Sequence, residues 1–541
     1  MITNSQFTSG ESSMADIDIN AARVRAAADD TESLSQQTMK RLSHSLDTSD
    51  EVYGSHYGNG WESPVQLKVC AEKWEEHMVS LAKRMGELSQ KLRESADGYD
   101  SADAEAESRL RAGLHDLGRG LTMVSYEGIN NARPKTWATA ADEWHALAKY
   151  SLDAAKDLRE YGAKPLKDNW TDEVGATAAA EFAKLADQLE AAYDILLSVN
   201  MVADGMTTTI ETAHSTMRAA VDLATRYGLE IGVDGTVTGP PPRSRTEAEE
   251  MGPYRTQVQD LVDQAVQQVT AADRLAAAEF TKLAGQTGLT DPGKALNDLQ
   301  THASHVQMQM LANDIPVGED PTTVRQWWNG LTDRQRRDMM LAQPVALANL
   351  DGIPAGVRQE LRGNGKYDRV KLVEYALANW DKGDPTDFGN NCTNFVSNAL
   401  LHAGMKEKTS IWGTSDDDSW MIGNRTGVDG VDKRLAYSDS WAAAENNQNF
   451  MLEHGGSEVP RSDVKPGDII YYEQSGPNDS IEKGNTHHAA IVTAVMPDGE
   501  IKYTQHSDSY QNVSLEGRLP ATEQHEGQQN IRIVRPNPDW Y

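Results

Sequence analysis

Six apolar residues, Trp74, Met78, Leu81, Met85, Leu88 and Leu92, recur at intervals of 4, 3, 4, 3 and 4. That spacing puts all six on one face of an α-helix and scatters them over both faces of a strand, so the stretch must bury a seam against other helices. Phe182, Leu185, Leu189, Ala192 and Leu196 repeat the pattern at 3, 4, 3 and 4. Each seam follows a turn that carries a tryptophan. Tyr57-Gly58-Asn59-Gly60-Trp61-Glu62-Ser63-Pro64 precedes the first, and Lys167-Asp168-Asn169-Trp170-Thr171-Asp172 the second. Gly and Asn tolerate positive φ, and Pro64 suits the first turn of a helix. The pattern predicts two helical hairpins, about Met14–Leu110 and Ala132–Tyr227, a weak internal repeat with a Trp capping each open end.

Two breaks follow. Gly232–Arg245 contains Gly239-Pro240-Pro241-Pro242, which stops a helix and favours an extended linker. Asn313–Pro321 has two prolines and little periodicity. Between them Val258, Leu261, Val262, Ala265 and Val269 share one face of a further helix. Beyond them Trp327 and Trp328 are expected to pack in a connector that runs on to Asn349-Leu350-Asp351-Gly352-Ile353-Pro354. No stretch approaches the roughly 18 apolar residues that a membrane span needs. A formal net charge of -31 repels phosphate and anionic lipid, which excludes nucleic acid and membrane surfaces as partners. The polar first residues, Met1 to Gly10, lack the pattern of a secretory signal peptide, so export would need another route.

The two cysteines, Cys70 and Cys392, form neither a disulfide framework nor a CxxC motif. Phe395, Val396, Ala399, Leu400 and Ala403 recur at helical spacing, with Gly404 as a stop and Asn390 or Asn391 as N-cap. Cys392 therefore falls in the first turn of a buried helix. Unsatisfied N–H groups and the positive dipole end there stabilise a thiolate and can donate to an oxyanion. Most free cysteines, by contrast, are small core residues. A thiol nucleophile needs a base. Val464-Lys465-Pro466-Gly467-Asp468 turns into a strand, and His488 opens a second strand that ends at Pro497-Asp498-Gly499. With a three-residue loop Met496 pairs with Glu500, His488 faces Asp508, and His506 lies next along on the same face. A two-residue loop would put His506 on the other face. His487, on the face away from His488, is not expected to take part. A metal site from His487, His488, His506 and Asp508 lacks the HxxxH or HxH spacing.

The helical half resembles the WxG-type hairpins exported by actinobacterial type VII systems. The glycine two positions after each Trp is missing, with Ser63 and Asp172 there instead. Tyr99-Asp100-Ser101-Ala102-Asp103 matches the Tyr-x-x-x-Asp/Glu export signal of that family, which implies that Tyr99 and Asp103 are read by the secretion machinery and that a WxG-type partner protein docks. The C-terminal third resembles the bacterial "putative amidase domain" family of the papain-like group, which includes CHAP and NlpC-type hydrolases. Asn391-Cys392-Thr393-Asn394-Phe395-Val396-Ser397, Ser440-Trp441, Pro466-Gly467-Asp468, His488-Ala489-Ala490-Ile491-Val492-Thr493 and Gln505-His506 carry the likeness, with Asn398 replacing the usual Gln. The resemblance implies Cys392 as nucleophile, His488 as base and His506 as orienting residue, with Asn391 and Asp508 as alternatives for oxyanion or third-residue roles.

The expected fold is multidomain, all-α hairpins or bundle followed by an α+β papain-like domain with an antiparallel sheet. The expected units are hairpins at 1–110 and 111–231, a linker at 232–245, a helical segment at 246–312, a connector at 313–364 and the hydrolase at 365–541. The expected function is cofactor-free, metal-free cysteine hydrolysis of amides, in peptidoglycan or a peptide, by a protein cytoplasmic before export and then secreted. The alternatives are a secreted toxin amidase or deamidase acting on a protein, and an inactive interaction protein.

Overall fold

The computed structural model describes residues 21–42, 45–56, 58–98, 123–383, 388–409, 417–423 and 437–541. The proposed export signal, Tyr99 and Asp103, lies outside them.

The N-terminal part is helical. Its main elements are α1 (Ala21–Leu42), α2 (Ser63–Gly98), α3 (Pro134–Asp157), α4 (Glu173–Tyr227), α5 (Arg245–Ala284) and α6 (Thr301–Asn313). Both tryptophan turns are buried, Trp61 at 5% exposure and Trp170 at 2%. The start of α2 is held by Asp273 of α5, whose carboxylate accepts from the Glu62 and Ser63 N–H groups at 2.8 Å. α4 is capped by Asp172, which accepts from the Gly175 N–H at 2.8 Å. Trp74, Met78, Leu81 and Met85 are buried in one apolar core that runs from α1 to α6. Trp74 Nε1 donates to the Leu283 carbonyl of α5 at 3.2 Å. The seam is thus buried against other helices of the same chain, as its spacing predicts. The stretch read as a linker holds the second strand of a small antiparallel hairpin, β1 (Glu230–Ile231) and β2 (Val237–Thr238), while its three prolines are exposed. Trp327 and Trp328 are buried in a separate small core of the connector.

The C-terminal part is built on a six-stranded antiparallel sheet in the order β3-β8-β4-β5-β6-β7. The strands are β3 (Ser457–Glu458), β4 (Ile469–Gln474), β5 (Thr486–Val495), β6 (Ile501–Gln505), β7 (Tyr510–Ser514) and β8 (Gln529–Arg535). Strand alternation divides the sheet residues between two cores. Ile469, Tyr471, Ala489 and Ile491 pack with α7 (Arg369–Asn379) and α8 (Cys392–His402). Ile470, Tyr472, Ala490, Val492 and Tyr503 form the other face. The buried Asp468 of the Pro-Gly-Asp turn is tied to Arg535 of β8 at 2.7 Å and approaches Arg369 of α7 at 3.5 Å, which joins both elements to β4. One more helix, α9 (Leu515–Glu526), follows β7. It lies against the helical part, where Tyr193 Oη donates to the Glu516 carbonyl at 3.1 Å. Arg518 reaches Asn297 at 3.0 Å and Thr301 at 2.8 Å.

Candidate active site

Cys392 is the first residue of α8 and is 3% exposed. Asn391 occupies the N-cap position, but its side chain makes no capping bond. Its Oδ1 accepts from Asn394 at 2.8 Å instead. Asn394 Oδ1 in turn accepts from Trp441 Nε1 at 2.7 Å and Asn398 Nδ2 at 3.1 Å. This buried polar chain fixes the first turn of α8. Asn398, the departure from the family pattern, is part of it.

β5 brings His488 to Cys392. Its register against β4 pairs His488 with Tyr472, and the two rings meet edge to face at 5.3 Å. The imidazole is hydrogen-bonded to the Cys392 thiol, and the Ala489 N–H and the Thr393 hydroxyl also reach the sulfur. His488 Nε2 lies 2.8 Å from Gln505 Oε1. Gln505 Nε2 donates to the carbonyls of Ser507 at 3.1 Å and Asp508 at 3.0 Å. Carbonyls only accept, so the amide nitrogen must face them and Oε1 must face the imidazole. Nε2 of His488 therefore carries the proton, and Nδ1 is left to face the thiol.

The expected contact between His488 and His506 is absent, and the reason is a β-bulge. The loop is the expected three residues, with the Met496 N–H bonded to the Glu500 carbonyl at 2.8 Å. Val495 pairs with Ile501 and Ala494 with Lys502, but then Val492 pairs with Tyr503 and Ile491 with Thr504. Thr493 is the extra residue. A bulge shifts every later pair by one and exchanges the faces. Gln505 consequently shares the face of His488, and His506 points to the α8 side. There His506 Nε2 donates to the Lys382 carbonyl at 2.7 Å, Nδ1 accepts from Asn391 Nδ2 at 3.4 Å, and the ring lies 5.7 Å from Phe395. Asp508 does not meet His488 either. With Ser507 it forms a left-handed turn, φ 52° and 64°, and its side chain is exposed. His487 bonds Gln529 at 2.9 Å. Gln505 stood beside His506 in the matching dipeptide; nothing in the sequence marks Thr493 as a bulge.

Burial alone would push the Cys392 thiol up. The charge and hydrogen bond of His488 outweigh it, helped by Thr393 and the Ala489 N–H, and bring the thiol down to about 7. Burial disfavours the charged imidazole, but the Cys392 thiolate, Gln505 and Glu526 together raise the His488 pKa above its ordinary value. Each group thus favours the charged form of the other. Among the described residues no group of three or more His, Cys, Asp or Glu side chains could hold a metal ion.

His488 opens into a cleft of about 780 Å³. One wall is the sheet face that carries Tyr472, His488, Tyr503 and Gln505, together with α9; the other wall comes from α4 and residues 292–297 of the helical part.

Residues 366–531, which contain Cys392, His488 and Gln505, match the family model described as "Putative amidase domain". Residues 13–112 match the model "Excreted virulence factor EspC, type VII ESX diderm". Among curated proteins it is similar to uncharacterized protein Rv2079 of Mycobacterium tuberculosis, 23% identical over 274 residues. The match covers 46% of this chain and 40% of that relative's length. No solved structure matches the chain significantly.

Proposed function

We propose that the chain is an exported cysteine amidase with Cys392 as nucleophile, His488 as base and Gln505 as orienting residue. The observation that carries this is the thiol at a helix N-terminus, hydrogen-bonded to an imidazole whose far nitrogen is held by Gln505. The thiolate attacks the amide carbonyl carbon, and first-turn N–H groups of α8 stabilise the oxyanion. His488 gives its proton to the leaving amine as the C–N bond breaks, which leaves a thioester. It then takes a proton from water, whose hydroxide displaces the sulfur from the acyl carbon, releasing the acid and restoring the thiolate beside the protonated His488. Gln505 replaces His506 in the role expected from the sequence, and Asn391 is directed at His506 and Asn394 rather than at a substrate oxygen. The match to a secretion domain supports export, with Tyr99 and Asp103 as the signal, and peptide amides of peptidoglycan as the substrate.

The test is digestion of purified cell walls by the full chain and by Cys392→Ser, with released fragments analysed by mass spectrometry. The wild type should release peptides bearing a new carboxyl group, and Cys392→Ser should release none. Equal release by both would end the cysteine reading. Intact walls together with cleavage of protein amides would move the substrate from the wall to a protein.

A further inference from the structure

We propose that the substrate site is composite: α4 of the helical part forms its second wall, and carboxylates around the cleft select a peptide amide that carries an amine. The inference rests on the amidase reading above. Three elements far apart in sequence bring acids to this one cleft, Asp187 on α4, Asp508 on the β6–β7 turn and Glu526 at the end of α9. Among the described lining residues Arg518 is the one permanent cation. Its guanidinium is already engaged, 3.5 Å from the Tyr510 ring and bonded to Asn297 and Thr301. Arg159 bridges Asp187 and the buried Glu190, so it neutralises about one of those two charges. Among the described residues the Glu526 carboxylate has one ion-pair contact, His487 at 3.9 Å, and its charge also acts on His488. The cleft therefore keeps a net negative field, which low-dielectric walls focus on any charge inside it. An ammonium group is attracted there and a carboxylate is repelled.

The placement of the α4 wall is specific. Gly517 lies so close to the Gln300 side chain that an added Cβ would come within 2.2 Å of it. Gln300 Nε2 also donates to Asp194 of α4 at 2.8 Å. The α9 wall and the α4 wall are thus joined through one buried side chain. A volume of about 780 Å³ suits a short peptide rather than a single amide group.

The experiment uses the full chain and two matched pools of acetylated peptide amides, alike except for lysine in one and norleucine in the other. Turnover is measured with the wild type, and binding by calorimetry with Cys392→Ala. The lysine pool should be preferred by about tenfold, the low end of what a focused field supplies, mainly through KM. Asp187→Asn and Asp508→Asn should each reduce that preference, read as the ratio of kcat/KM for the two pools, about threefold or more. Asn is tolerated at the left-handed position 508. Equal treatment of both pools, or an unchanged preference in Asp187→Asn, overturns the composite site and leaves the hydrolase intact. Lysine-selective binding with no turnover of either pool would instead sink the hydrolase reading and leave the selective cleft standing.

Discussion

Cys70 and Cys392 are both almost fully buried, at 0% and 3% exposure, yet their thiols go in opposite directions. Burial pushes Cys70 far up, whereas His488 and the first turn of α8 bring Cys392 down to about 7. Alkylation should therefore modify Cys392 alone in the folded chain. Its rate should rise as pH passes through about 7, because the thiolate is the reacting form and is protonated below that. In His488→Ala the opposing charge and hydrogen bond are gone while burial stays, so the midpoint should move up. A midpoint that stays in place would show that His488 does not act on the thiol. Gln505→Ala frees Nε2 and the ring, with an expected loss in kcat on the order of 10–100-fold. His506→Ala loosens only the tie to Lys382 and Asn391 and should cost less. Rates of both variants on one substrate at one pH decide the order.

At the scale of elements, close packing decides where a side chain can exist. Asp172 caps α4, and the Gly175 it bonds lies flat against Trp170: an added Cβ would stand 2.4 Å from the indole. The glycine that the hairpin family places two residues after Trp is supplied here five residues on. Gly175→Ala should destabilise the chain by about 1–3 kcal/mol through overpacking, despite the better helix propensity of Ala. Chemical denaturation reads this directly, and an unchanged midpoint would mean Trp170 can move aside. The Thr493 bulge acts at the same scale. One extra residue exchanges two adjacent polar side chains, Gln505 and His506, between the faces of β6. Element existence follows from periodicity, but an inserted residue leaves no periodic trace.

At the scale of the whole molecule, the β5–β6 hairpin is pressed into the helical part. Met496 belongs to the helical core, and Lys502 is fully buried and paired with Glu500. Asp498 and Asp204 of α4 face each other there, beside Glu500, Lys502 and His145. Burial, then Glu500, lifts the Asp498 carboxyl to about 6; burial, then Asp498, raises Asp204. With folded values above unfolded ones, the folded chain holds more protons between about 4 and 6, so stability falls as pH rises through that window. Asp498→Asn keeps an oxygen for the Glu500 N–H, 2.9 Å away, and removes the charge. It should raise stability above pH 6 by on the order of 1–2 kcal/mol and flatten the pH dependence. Denaturation midpoints at pH 5 and pH 7 test it; a slope equal to the wild type would place the titration elsewhere.

Local pattern in the sequence determined the helical seams, the tryptophan turns, a helix beginning at Cys392 and a strand carrying His488, because each depends on spacing within a few residues. It also carried the two family resemblances, at the secretion end and at the amidase end. Tertiary structure alone decided that Gln505 rather than His506 meets His488, since a one-residue bulge is set by packing on both faces of the sheet. It decided as well that α5 covers the seam of α2 and that α4 stands across the cleft from His488. These are contacts between segments 100 or more residues apart, where closing the chain is governed by shape and burial and no neighbour in sequence records the outcome.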